Sequence, residues 1–187
     1  MNKKEQTKNI TTEKNQSDKY YDAGVAAIKS NSYKEAEEAF KKAFDINNSI
    51  LDKHWDVWKT HQKILHTDRK YEYWKNIIRY NDNIIEVNKN NIAVLSNLIE
   101  IAKLQGYSES IEEAQEFIKE AKCSIAWRFN DTGLIHLINL KDYEKAEVAL
   151  KQAVEWEVSR SNSSYAKDLK HLQQEYKESK GSIKDGK

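Results

Sequence analysis

Apolar residues recur at three- and four-residue intervals along most of this chain, the spacing of helices with one buried face. Between Tyr20 and Ile46 the recurrence carries a second feature. Small residues at Ala23, Gly24, Ala27, Ala36, Ala39 and Ala43 accompany large ones at Tyr20, Tyr33, Phe40 and Phe44. Helices pack closely when small side chains on one oppose large side chains on the other. The stretch therefore reads as a hairpin, with helices over 18–30 and 33–46 and a turn at Asn31-Ser32. Ser17 or Asp18 suits the first N-cap, and Ser32 followed by Glu35 suits a capping box.

Asn47-Asn48-Ser49 reads as a break, because Asn tolerates the left-handed conformation. The pattern then predicts helices over about 51–66 and 70–87, a turn at Asn88 to Asn91, and a helix over 92–105. Gly106 is a natural stop for it. A sixth helix starts at Ser108 and ends near Lys122, and a seventh covers 124–139. The seventh is apolar on two sides, Ile125, Phe129 and His136 on one and Trp127, Leu134 and Ile138 on another, as a sandwiched helix is. Asp142 caps an eighth helix reaching Val158. A ninth places Tyr165, Leu169, Leu172 and Tyr176 on one face with charges elsewhere. Residues 1–16 are polar and aperiodic and read as a flexible tail, as do 181–187.

The small–large pattern recurs. Ser32-Tyr33 precedes Ala36-x3-Phe40-x2-Ala43, and Asp142-Tyr143 precedes Ala146-x3-Leu150-x2-Ala153. A further copy is Ala114-x3-Ile118-x2-Ala121, and Gly133 sits near the slot of Gly24, one residue further out. These residues resemble the tetratricopeptide repeat, whose pattern runs W-x2-L-G-x2-Y, A-x3-F, P. The proline slot falls near Asn48 and is empty of proline. The resemblance implies an all-α fold: a right-handed α-solenoid of about four hairpins plus a C-terminal capping helix. One domain over 17–180 is expected, with units at about 17–50, 51–90, 91–122 and 123–160 and the cap at 161–180. The second unit is degenerate, marked by Trp55, Trp58, Ile64 and Leu65, then Tyr71, Trp74, Ile77, Ile78, Ile84 and Ile85.

The resemblance also implies a concave face, lined by the first helix of each unit, that holds a protein or peptide segment. Carried over slot by slot, its positions are Tyr21, Val25 and Ile28, then Lys59 and Lys63, then Glu100 and Lys103, then Arg128. Some members of the family grip a C-terminal carboxylate with a Lys and an Asn in the first unit. Tyr21 and Val25 hold those slots here, which argues against that grip.

Composition narrows the picture. The 187 residues are 33% charged and 39% hydrophobic, with no proline and five glycines. Long helices are the default for such a chain, and no strand-like alternation persists. Lys+Arg 31 against Asp+Glu 30 leaves a net charge of +1, without the basic excess of a dedicated nucleic-acid binder. The single Cys123 has no partner for an internal disulfide and reads as a small buried hydrophobe. Neither a leader-like apolar run nor a membrane-length one occurs, so a soluble cytoplasmic protein is expected.

No phosphate-loop, dinucleotide, zinc-protease or serine-elbow motif occurs. His54, His61 and His66 lack the i, i+3 or i, i+4 spacing that brings two imidazoles to one metal, and His136 reads as a hydrogen-bonded filler. No catalytic, cofactor-binding or metal-ligating group is expected. Trp55, Trp58 and Trp74 read as packing residues, with a groove role as the competing reading. The leading function is a noncatalytic adaptor or scaffold for a protein or peptide segment. The alternatives are a single-stranded RNA binder using Lys59, Lys63, Lys103, Arg128 and Trp127, and a regulatory or peptide-sensing partner of an enzyme.

Overall fold

With proline absent and only five glycines, little interrupts the helical ladder once it starts. The computed structural model of the chain describes residues 3–62, 70–157 and 164–184. It is all-α: α1 (Lys3–Lys29), α2 (Tyr33–Gln62), α3 (Lys70–Gln105), α4 (Ser108–Leu134), a π-helical segment (Ile135–Leu140), α5 (Tyr143–Trp156) and α6 (Ser164–Lys184). No strand occurs among the described residues.

Several expected breaks are absent. α2 runs through Asn47-Asn48-Ser49, α3 through Asn88 to Asn91, and α4 through Cys123. The asparagines work between helices instead of ending them. Ser17 Oγ of α1 lies 2.7 Å from Asn47 Oδ1 and 3.2 Å from the Ala43 carbonyl, and Asn91 Nδ2 donates to Asn48 Oδ1 at 3.1 Å. An amide group engaged by a neighbouring helix is drawn away from its own backbone, although Asn47 Nδ2 and Asn91 Oδ1 are left without a partner among the described residues, and Asn in a helix interior costs well under about 1 kcal/mol. α1 also begins at Lys3 instead of near Asp18, and Ser17 is a buried helical residue, not a cap. Glu13 and Lys14 extend from this added length to pair with Lys53 and Glu86.

Other signals match. α3 stops at Gln105, where Gly106 has φ +77, and α4 starts at Ser108. Asp142 caps α5 by accepting from the Lys145 N–H at 3.2 Å.

The chain divides into two compact units: Met1–Lys59 with Glu86–Ala121, and Thr60–Ile85 with Lys122–Lys187. In the first, Ala36, Phe40 and Ala43 of α2 are buried together with Val94 and Ile101 of α3. Tyr20, Tyr21, Val25, Ala27 and Ile28 of α1 pack on that cluster. The stretch expected as the third repeat thus packs directly on the first. Leu95, Ile99 and Ala114 form a neighbouring cluster. In the second unit Leu137, Ala146, Leu150 and Leu172 are buried together, with Tyr143 and Leu169 against them. Leu169 and Leu172 give α6 the apolar side expected of a terminal helix, and Tyr176 stacks 5.6 Å from Tyr143.

Each unit contains one hairpin built on a glycine notch. A Cβ added at Gly24 would sit 2.7 Å from Phe40 Cε1, and one at Gly133 would sit 2.6 Å from Leu150 Cγ. Both hairpins turn through a left-handed residue, Asn31 (φ 58) and Lys141 (φ 55), one position before Ser32 and Asp142. Gly24 lies twelve positions before Ala36, but Gly133 lies thirteen before Ala146. The π-helical segment absorbs the extra residue, since its wider turn takes up one more residue than an α turn. Both glycines thereby keep their partner.

Candidate functional site

The first unit places the expected first-helix residues against α3. Tyr21, Val25 and Ile28 are half-buried rather than open, because they pack on the cluster that Ala36, Phe40 and Ala43 of α2 form with Val94 and Ile101 of α3. The Tyr21 ring stands edge-on to Phe40 at 5.7 Å, and its hydroxyl accepts from Asn97 Nδ2 at a long 3.4 Å. Asn97 sits one helical turn before Ile101, and Leu104 follows Ile101 by three residues and is 66% exposed. Asn97 and Leu104 therefore extend the α1 face, and neither was picked out by the repeat pattern. Their i, i+7 spacing on the flank of α3 that carries Ile101 is the signal that marks them.

Glu100 and Lys103 are exposed and pair with each other at 2.8 Å. Lys59 lies on α2 with its side chain outside the description, and Lys63 lies outside the described residues. Arg128 departs from expectation. It is only 5% exposed and belongs to the second unit.

Arg128 is held in a buried polar cluster. Its Nη1 points at Asn81 Oδ1 at 3.4 Å, and Asn81 Nδ2 lies 2.8 Å from Asp131 Oδ2 and 3.1 Å from Thr132 Oγ1. Asn81 thus relays between the cation and the carboxylate. The guanidinium carbon lies 4.1 Å from the centre of the Trp127 ring and 5.3 Å from that of Tyr80. Rings on a buried cation offset part of its lost hydration. Burial drives the Tyr80 hydroxyl up to about 12, against the pull of Arg128. Burial also lowers Arg128, against Tyr80 and Asp131. Such a cluster is built to hold α3 against α4 in one register, and it offers no reactive pair.

His136 is buried on the π-helical segment, as expected of a filler, but its Nδ1 has no hydrogen-bond partner among the described residues. Burial lowers its pKa; Asp142 and Asp82 oppose this, and Lys145 adds to it. His54 is buried on α2, the His61 side chain is outside the description, and His66 lies outside the described residues. Among the described residues no group of His, Cys, Asp and Glu has metal-site geometry.

Two further expectations change. Cys123 is exposed, because α4 runs straight through it instead of folding a junction over it. Trp55 is exposed, and Trp74 is half-buried with its ring 4.8 Å from Tyr73; the Trp58 side chain is outside the description. Of the groups named for the RNA alternative, Lys103 pairs with Glu100 and Arg128 is buried, while the Lys59 side chain and Lys63 lie outside the description. No described helix is long and apolar enough to cross a membrane.

The tetratricopeptide repeat model matches residues 20–50 and 133–157, the two glycine-notched hairpins. No curated protein and no solved structure matches the chain.

Proposed function

Since the chain carries tetratricopeptide-like repeats, which generally mediate protein–protein contacts, we propose that it is a noncatalytic adaptor holding a protein or peptide segment. The observation that carries this reading is the first-unit face formed by α1 and α3. Tyr21, Val25 and Ile28 supply half-buried apolar surface, Leu104 supplies an exposed anchor, and Asn97 supplies an amide beside them. An extended segment needs apolar contact along its length and a few polar groups to fix its register. Glu100 and Lys103 form the polar rim. Lys59 and Lys63 keep the part the repeat resemblance implies for them. Arg128 is assigned to packing within the second unit.

The test starts from partners co-purified with the tagged full chain and identified by mass spectrometry, then verified with purified components. Tyr21→Glu and Leu104→Glu should each weaken a verified partner by about tenfold or more, since a charge in an apolar contact costs more than about 1.4 kcal/mol. Leu104 is already in water, so its substitution leaves the fold intact. Unchanged affinity in both variants would remove this face from the account.

A further inference from the structure

Charges nearly cancel over the whole chain, but not on α4 between Ser108 and Ala121. This stretch carries Glu109, Glu112, Glu113, Glu116 and Glu120 against one lysine, Lys119. Glu116 already holds Lys119 at 2.9 Å. Ile111, Ala114, Ile118 and Ala121 face inward. Phe117 stands beside that inner face, 39% exposed, its ring 5.7 Å from Phe44 of α2. Helical spacing puts Glu113 one turn before Phe117, Glu120 one turn after it and Glu109 two turns before it, all on one flank. None of these three has an ion-pair or hydrogen-bond partner among the described residues. On α2 the edge continues from Phe44 through half-buried Leu51 to Trp55, 43% exposed, at seven- and eleven-residue spacing.

Helix polarity favours acids in the first turns of α4 and accounts for Glu109, Glu112 and Glu113. It does not account for Glu120, which lies in a later turn, nor for the part of the Phe117 ring that stays exposed one turn before it. We propose that this edge of the first unit docks a basic, amphipathic helical segment of a partner protein. Its apolar side chains lie along Phe117, Phe44 and Trp55, and its lysines or arginines stand opposite Glu109, Glu113 and Glu120. From Glu109 to Glu120 is about 16 Å along the helix, three turns of a partner helix. Acidic partners are repelled by the same three carboxylates. The proposal rests on the adaptor reading and adds to it a second face and a partner chemistry.

The probe is a fluorescein-labelled helical peptide of about 14 residues, about four turns, made of leucine and lysine, alongside its leucine–glutamate counterpart. Anisotropy is followed against the full chain. The lysine peptide should bind at least about tenfold more tightly than the glutamate peptide, and the difference should shrink between about 50 and about 500 mM salt. Glu113→Lys combined with Glu120→Lys should weaken it about tenfold, and Phe117→Ser should weaken it at unchanged salt dependence. Tyr21→Glu should leave it unchanged. Circular dichroism checks that each variant keeps its helices. Equal affinity for the two peptides, or no effect of the paired glutamate substitutions, overturns the proposal. Loss with Tyr21→Glu alone overturns it too, by moving the peptide to the α1 face. The adaptor reading fails on a different result, a verified partner indifferent to substitutions on both faces.

Discussion

Gly24 and Gly133 are glycines for a reason outside their own backbone. Helix interiors ordinarily favour Ala over Gly by about 1 kcal/mol. Here an added Cβ would lie 2.7 Å from Phe40 and 2.6 Å from Leu150, whose side chains are fully buried. Gly24→Ala and Gly133→Ala should therefore each lower unfolding stability by about 1–3 kcal/mol, read from urea denaturation. A stabilising effect would mean that the notch is slack. Lys141 presents the reverse case. It holds a φ of 55, which costs an L-residue about 1–2 kcal/mol, whereas Asn31 at the matching position tolerates that conformation. Lys141→Gly should raise stability by up to about 1 kcal/mol, part of the relief being lost to chain entropy. The left-handed turn at Asn31 was readable from its residue type. The one at Lys141 was not, because lysine has no preference for that region and the demand comes from the packing of the hairpin.

The π-helical segment shows how an element responds to a conflict between chain length and packing. Keeping Gly133 on Leu150 with thirteen residues to Ala146 leaves one residue too many for an α-helix, and the widened turn buries His136. Its pKa is depressed mainly by burial, so the unfolded chain takes up a proton at a pH where the folded chain resists it. The contribution is fully present above the unfolded value of about 6.5 and is lost as pH falls through the depressed folded value. Denaturation midpoints should fall from pH 7 to pH 5, and His136→Gln should remove part of that slope. Equal slopes in both proteins would place the pH dependence elsewhere. The extra residue was visible as an offset of one between the glycine slots, but how it would be absorbed was not. Asparagine pairs misled the reading of α2 and α3 for a related reason. The same residue type ends a helix when its amide turns to its own backbone and joins helices when a neighbour offers a partner, as Ser17 does for Asn47 and Asn48 for Asn91.

Each compact unit takes its residues from two separated stretches, so neither is a single continuous piece of chain. α2, α3 and α4 each contribute residues to both, α2 only its last three. Melting one unit thus removes part of three helices that the other also uses. Phe40→Ala in the first unit and Leu150→Ala in the second, both fully buried, should each cost about 3–5 kcal/mol and shift one shared transition. Two resolved transitions, with only one displaced by each substitution, would show independent units.

Helix content, the two hairpins and their buried faces follow from spacing and from small residues opposite large ones, because those patterns act between near neighbours in the chain. Ala36, Phe40, Ala146 and Leu150 are buried as that logic requires. That α3 lies on the first hairpin, whether an asparagine stops a helix, and whether Arg128 meets water depend on groups far apart in sequence. Val94 and Ile101 reach α1, and Asn81 reaches Arg128, only after the chain has folded back on itself. Local pattern carries no information about such encounters, so those features were settled by packing.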